Sequence, residues 1–114
     1  MEYLITIHDD ESAWKNATKA EFDHEMDLHR AFAAKAAELG VTILESRALQ
    51  DTSTAITIRG GVATDGPFLE TKEAFGGFYL IDAPSPEIAL ELAHLCPSTK
   101  GGVELRPIWD MSDL

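Results

Sequence analysis

Apolar and polar side chains alternate over several short segments of the chain, and this two-residue period predicts β-strands. In residues 3–8, Tyr3, Ile5 and Ile7 share one face, while Leu4 lies on the other. Comparable patterns predict further strands over residues 41–49, 54–59, 62–64, 75–82 and 103–109. A pair of glycines separates the segments 54–59 and 62–64, which is typical of a two-residue β-hairpin turn.

Three helices are predicted between these strands. A short helix follows the acidic residues 9–11, because acidic side chains stabilise the positive end of a helix. A long helix over residues 19–39 begins with a capping box formed by Thr18 and Glu21. The third helix covers residues 86–96, where a serine N-cap precedes a proline at the first helical position.

The long helix carries two polar residues on its apolar side. At about 100° per residue, Phe22, Met26 and Ala33 are expected at the centre of the face that packs on the sheet. His29 and Glu25 fall on the same side, one turn apart, so their side chains can touch. Such a histidine is either a hydrogen-bonded structural residue or an acid–base group, and the pattern leaves both interpretations open.

The order of elements predicts an α+β fold, a ferredoxin-like sandwich in βαβ-β-hairpin-βαβ order with an added hairpin. Its antiparallel sheet carries the helices on one face. Two long helices cover only that face, yet several strands also carry apolar side chains on the other. Because an apolar sheet face exposed to water is a large hydrophobic patch, we expect a second copy of the chain to cover it. The pattern therefore predicts a homodimer.

Composition limits the classes of function. The chain has 114 residues, so residues 1–114 are expected to form a single domain. A net charge of −11 argues against binding a nucleic-acid backbone. No apolar run approaches the roughly 20 residues of a membrane span, and the single cysteine, Cys96, suits a reducing cytoplasm. The four histidines are scattered, so we expect no metal site, and no cofactor-binding motif is recognised.

Residues 65–78, with the sequence DGPFLETKEAFGGF, are the most unusual stretch of the chain. Asp65, Gly66 and the proline that follows are typical of a tight turn in which the glycine has a positive φ. The later charges of the stretch are not needed for a turn and can equally form a solvated surface cluster. The glycine pair at its end opens a strand, where absent side chains let another backbone or a ligand approach closely.

The spacing D-G-P-F-x-E-x-K-E-x-x-G-G-F resembles the signature of the YCII-related (DGPF) domain family. The similarity covers nearly the whole chain, from the opening MEYL to VELRPI near the end. It implies a ferredoxin-like α+β fold that dimerises into an α+β barrel, and frequent association with extracytoplasmic-function sigma factors. The wider family is similar in carrying a histidine on the first long helix, proposed to pair with an aspartate. His29 occupies a comparable place.

The candidate site residues come from the motif, the long helix and two strands. We expect His29 and Asp65 to be the catalytic pair, because a carboxylate at a rigid turn can act as a base or orient an imidazole. The candidates for ligand binding are four charged side chains: Arg47, Glu70, Lys72 and Arg106. The arginines have an alternative role in cross-strand ion pairs with Glu45 and Glu104. Glu45 and Arg47 are expected on the strand face of Val41 and Ile43.

These residues, together with what the family resemblance implies, lead to two expected functions. The first is a cofactor-free enzyme, similar to a lyase or an isomerase, that moves a proton on a small anionic molecule. The second is a non-catalytic module that binds a small ligand or regulates, working beside a sigma factor. A sigma-factor gene beside this one would favour the second function, and a catabolic operon would favour the first.

Overall fold

In a computed structural model, which describes residues 1–113, the chain forms the predicted α+β fold. The strands are β1 (Glu2–Asp10), β2 (Thr42–Ala48), β3 (Ile56–Arg59), β4 (Val62–Asp65), β5 (Glu73–Asp82) and β6 (Gly101–Pro107). The helices are α1 (Glu11–Lys15), α2 (Lys19–Glu38) and α3 (Pro86–Ala93), with single 3₁₀ turns at Thr52–Thr54 and Met111–Asp113. The main sheet has the antiparallel order β2-β5-β1-β6, which is the ferredoxin-like order and confirms the predicted fold class.

The hydrophobic core lies between the main sheet and the helices. Alternate residues of β1 and β5 point into it, and Ile5 and Ile81 are fully buried there. The helices cover them with buried apolar side chains, namely Phe32 and Ala36 from α2 and Ala89 and Leu92 from α3. The intervening residues of the strands, such as Leu4 and Leu80, lie on the opposite face, which we call the open face.

Helix α2 begins at the predicted capping box, but its buried face was predicted only in part: Glu25 was expected on that face and is buried. Phe22 and Met26, expected at the centre of that face, are 55% and 38% exposed. The residues of α2 that are buried are Glu25, Phe32 and Ala36. Six of the twenty residues of this helix are alanines, which fit any face, so the few large side chains defined its rotation poorly.

Strand β2 contains a bulge that reverses part of the predicted side-chain pattern. Ile43 lies opposite Ile81 on the core face, whereas Glu45 lies opposite Leu80 on the open face. One extra residue between them shifts the register, so Glu45 and Arg47 do not share the face of Ile43, as had been predicted. Both charged side chains consequently lie on the open face.

Strands β3 and β4 pair only with each other, and residues 56–65 form a projection that we call the hairpin arm. Gly60 and Gly61 have φ values of 57° and 79°, as a two-residue turn of mirror-image type requires. The predicted hairpin is therefore confirmed. The arm makes the molecule extended: its radius of gyration is 15.7 Å, against about 13 Å for a compact chain of this length.

The base of the arm is tied to the main fold by hydrogen bonds. The backbone N–H of Thr52 donates to a carboxylate oxygen of Glu11 in α1 at 2.8 Å, which ties this base to the main fold. The backbone N–H of Gly66 donates to the Ala55 carbonyl at 2.8 Å, which joins the two ends of the arm. Beyond this base, the large side chains of Ile56 and Ile58 are 65% and 69% exposed. No helix among the described residues has the length and apolar character needed to cross a membrane.

Candidate functional site

A cleft of about 440 Å³ opens between the first half of α2 and the end of the main sheet. Strands β1 and β5 supply its floor, and α1 places Trp14 at its side. Most of its lining is apolar or aromatic, with a few ionisable groups. The principal lining residues are Ile7, Asp9, Trp14, Phe22, Glu25, Met26, His29, Ser46, Phe78 and Tyr79. A pocket of this size and character suits a small organic ligand.

His29 contacts Tyr79 across this cleft. The Nδ1 atom of His29 lies 2.6 Å from the Tyr79 hydroxyl oxygen, and the two ring centres are 5.8 Å apart. Tyr79 is held by β5 on the core face and packs against Phe32, with 4.5 Å between the ring centres. The histidine is half-buried and the tyrosine is buried. The pair is therefore fixed from both sides while the imidazole still borders the cleft.

Burial keeps both partners uncharged at neutral pH. It lowers the pKa of His29 below its usual value of 6.5, although the carboxylates of Glu25 and Asp9 act in the opposite direction. Burial likewise raises the pKa of the Tyr79 phenol to about 12. A neutral imidazole therefore shares a short hydrogen bond with a neutral phenol. An uncharged imidazole at pH 7 is available as a base.

Two carboxylates lie near this pair. Glu25 is 6% exposed and accepts hydrogen bonds from the backbone N–H of Thr99 at 3.4 Å and from its hydroxyl at 2.6 Å. Asp9 accepts from the Ser98 hydroxyl at 3.2 Å. Burial raises the pKa of the Asp9 carboxyl, although the Ser98 hydrogen bond opposes the change. Neither carboxylate hydrogen-bonds His29 in the described part of the chain, so both act on it through space.

The glycine pair of the motif lies at the floor of the cleft. A β-carbon on Gly77 would approach the Arg47 carbonyl oxygen of the neighbouring strand to 3.0 Å. A β-carbon on Gly76 would lie 3.9 Å from a carboxylate oxygen of Asp9. The expectation that another backbone approaches closely here is therefore confirmed at Gly77. Side chains at either position would also narrow the cleft.

The structure places the predicted site residues in separate regions. Arg47 borders the cleft of His29, but its guanidinium contacts the Glu45 carboxylate and donates to the Ser46 carbonyl at 2.9 Å. Asp65 ends β4 on the hairpin arm, where it lines a separate depression with Glu70. The structure therefore does not bring Asp65 to His29, and the carboxylates of Asp9 and Glu25 lie nearest instead.

The remaining candidates do not converge on either region. Lys72 is exposed in the loop before β5, and Arg106 lies opposite Leu4 on the open face. The ion pair predicted for Arg47 is present with Glu45. The binding roles of Arg47, Glu70, Lys72 and Arg106 stay predictions. Gly66 was predicted to have a positive φ, and its φ of 107° confirms this.

Sequence patterns had not drawn attention to Tyr79, Asp9 or Trp14. The sequence could have indicated Tyr79 and Asp9 as site residues, because each places a polar group on the otherwise apolar face of a strand. Asp9 continues the core-facing series of Ile5 and Ile7, and Tyr79 precedes the fully buried Ile81 by two residues. Trp14 gave no signal, since its position depends on how α1 packs. Among residues 1–113, no three His, Cys, Asp or Glu side chains could hold a metal ion together.

Comparison with known proteins gives two matches. The family model described as the YCII-related domain matches residues 1–112. An uncharacterized protein of Rhizobium meliloti (strain 1021) is 37% identical over 116 residues, which covers 95% of this chain and 92% of that protein. The match extends over nearly all of both chains.

Proposed function

The chain belongs to the YCII-related domain family, and from that premise we propose that its cleft binds a small molecule and moves a proton on it without a cofactor. His29 is the general base of this proposal. The hydrogen bond between His29 and Tyr79, at the wall of an otherwise apolar cleft, is the observation that carries it.

The proposed step uses the two nitrogens of the imidazole differently. We assign the proton of neutral His29 to Nδ1, which then donates to the Tyr79 oxygen 2.6 Å away and leaves the lone pair of Nε2 free to accept a proton. Nε2 then removes a proton from a carbon of the ligand, and the electron pair of the broken C–H bond stays on the ligand, delocalised into an electron-withdrawing group there. Asp9 and Glu25 stabilise the imidazolium that forms. Returning the proton at another position completes an isomerisation, and loss of a leaving group completes an elimination.

Hydrogen–deuterium exchange into small carbon acids tests this proposal without knowledge of the substrate. In D₂O, the protein is expected to catalyse exchange into some members of a panel of small carbonyl and iminium compounds, measured by NMR. The rate should rise as the pH passes upward through the pKa of His29, which lies below 6.5, because only the neutral imidazole accepts a proton.

Matched variants identify the base. His29→Asn should abolish exchange, and Tyr79→Phe should reduce it on the order of tenfold or more while shifting its pH profile. His24→Asn is the control, because His24 is an exposed histidine on the same helix. Exchange that survives in His29→Asn at the wild-type rate would contradict the proposal.

A second candidate function is a binding module without catalysis. It is favoured by the absence, within residues 1–113, of a carboxylate hydrogen-bonded to His29 that would strengthen it as a base. In this case the protein acts through a partner that responds to its ligand-bound form. The resemblance suggests that this partner is an extracytoplasmic-function sigma factor. A ligand that binds the cleft tightly but exchanges no proton in D₂O would favour this function over the first.

We also propose that the functional unit is a homodimer formed through the open face. Support comes from its composition: Leu4 lies directly opposite Leu80, and Thr6 lies opposite Phe78. Charged side chains flank this apolar centre on both edge strands: Glu45 and Arg47, which form an ion pair, on β2, and Glu104 and Arg106 on β6. A surface with an apolar centre and both signs of charge at its edges is suited to a two-fold contact with itself.

A further inference from the structure

The charges around the cleft are unevenly distributed. The acidic side chains that border it are Asp9 and Glu25, and the second already accepts two hydrogen bonds from Thr99. Asp9 accepts from the Ser98 hydroxyl at 3.2 Å and also interacts with the Trp14 side chain, and a carboxylate has about four acceptor sites. A ligand that enters the cleft therefore meets one carboxylate with acceptor capacity to spare.

The positive side chains near the cleft are engaged elsewhere. The Arg47 guanidinium contacts Glu45, and its side chain is 65% exposed. The ammonium of Lys100 lies 5.2 Å from the centre of the Trp14 ring but is 2.6 Å from a carboxylate oxygen of Glu21, and Lys100 does not line the cleft. Of the described residues, none offers the cleft an unpaired cation. An anionic ligand would therefore approach two carboxylates without compensation.

The walls of the cleft are aromatic. Trp14, Phe22 and Tyr79 line it from α1, α2 and β5, and Met26 lies among them. Aromatic faces stack on flat rings and attract positive charge. Phe22 meets the Trp14 ring edge-on, with 6.5 Å between the ring centres, so these walls stand at a steep angle to each other.

From the aromatic walls and the one available carboxylate, we propose that the ligand of this cleft is a flat aromatic molecule carrying a positive charge, with Asp9 as its counter-ion. The inference rests on the proposed function of the cleft as a binding site, and it adds the charge and shape of the ligand. It also fits the proposed chemistry, because a positive nitrogen on the ligand acidifies a neighbouring C–H bond and makes proton removal by His29 easier.

Three simple probes of nearly equal size test the sign of the charge. Benzylamine is a cation at pH 7, benzyl alcohol is neutral and benzoate is an anion. In a Trp109→Phe background, Trp14 becomes the single tryptophan and its fluorescence reports binding, since Trp109 is 70% exposed and does not line the cleft. We expect benzylamine to bind about tenfold more tightly than benzyl alcohol and benzoate to bind most weakly, with the differences shrinking at high salt.

Two further measurements assign this preference to Asp9. Asp9→Asn should remove the advantage of benzylamine while leaving the affinity for benzyl alcohol unchanged, which also shows that the variant is folded. Asp10→Asn is the matched control, because Asp10 caps α1 and does not line this cleft. In the protein that retains Asp9, the affinity for benzylamine should fall as the pH drops through the pKa of Asp9. The affinity for benzyl alcohol should not change over this range.

Each remaining outcome overturns a defined part of the proposal. Tightest binding of benzoate would reverse the sign of the ligand and would support the anionic ligand expected from the sequence. Equal binding of all three probes would remove Asp9 as counter-ion but leave the cleft as a binding site. If no probe changes the fluorescence of Trp14, the cleft does not bind small aromatic molecules, and the proposed function falls as well.

Discussion

At the scale of single residues, three glycines are subject to different physical constraints. A β-carbon at Gly101 would overlap the carbonyl oxygen of His8 on the neighbouring strand. At Gly66 a β-carbon would meet nothing, but φ is 107°, a conformation that other residues rarely adopt. Gly102 has neither constraint. Gly101 is thus needed because a side chain has no space there, and Gly66 is needed because of its backbone conformation. Gly102 is needed for neither reason.

Alanine substitutions at these glycines should separate the two effects. We expect Gly101→Ala to lower the free energy of unfolding by on the order of 2 kcal/mol or more, because the backbone of β1 or β6 must move. Gly66→Ala should cost about 1–3 kcal/mol through backbone strain. Gly102→Ala, the control, should stay within about 0.5 kcal/mol of wild type. Urea unfolding measures all three, and equal stabilities would contradict the close approach of β6 to β1.

Two buried groups, Tyr79 and Cys96, predict a loss of stability at alkaline pH. Burial raises the pKa of each group to about 12, from 10.0 for Tyr79 and 9.0 for Cys96. Between these ordinary values and pH 12 the unfolded chain has released protons that the folded chain retains, so stability falls as the pH rises. We expect the urea midpoint to be constant near pH 8 and to drop steadily above pH 9.

The Cys96→Ala variant checks the cause of this loss. It should be less stable than wild type at pH 8, because a buried side chain is shortened, but its stability should fall less steeply with pH. The two proteins are therefore compared by how steeply the free energy of unfolding falls with pH, and not by its value at one pH. An unchanged slope in Cys96→Ala would show that the thiol is not the titrating group.

At the scale of elements, Glu25 joins α2 to the loop that precedes β6. Its carboxylate accepts two hydrogen bonds from Thr99, and it is one of three buried residues of the helix. Glu25→Ala removes the charged acceptor of both Thr99 hydrogen bonds, and hydrogen bonds to charged groups are among the stronger ones. We expect this to lower the free energy of unfolding by about 1–3 kcal/mol.

The control for Glu25→Ala is Glu38→Ala on the same helix, where the carboxylate is exposed and pairs with Lys35. Loss of that surface ion pair should cost less than about 1 kcal/mol. Thermal unfolding compares the two variants. If Glu38→Ala were the more damaging change, the bond between Glu25 and Thr99 would not hold these elements together.

Element by element, local signals in the sequence predicted most of the fold. The capping box at Thr18, the serine N-cap of α3 and the glycine pair of the hairpin each depend on nearby residues, and each prediction is confirmed. The rotation of α2 and the bulge in β2 were missed, because both depend on packing against distant residues. The same limit applies to the site. The pattern drew attention to His29, but its partner Tyr79 is 50 residues away, which no local period indicates.

At the scale of the whole molecule, the open face determines the expected state of association. At micromolar concentration, sedimentation should give twice the 12.5 kDa mass of one chain. Leu80→Glu places a charge at the centre of the open face and should yield a monomer, because a buried unpaired carboxylate is costly. Leu90→Glu makes the same change at a side chain of α3 that is 53% exposed, and it should remain a dimer. A wild-type monomer, or a dimer that persists in Leu80→Glu, would contradict the homodimer.

The hairpin arm has a consequence for labelling the protein in cells. Its turn, Gly60–Gly61, projects beyond the main sheet, and a β-carbon at either glycine would meet no atom within 4 Å. Exposed tips of this kind tolerate inserted sequence better than any other part of a domain. A short epitope or a self-labelling peptide genetically inserted between the two glycines should therefore leave the core, the cleft and both chain ends unaltered. The arm thus provides an attachment point for pull-down and imaging experiments that seek the cellular partners of this protein.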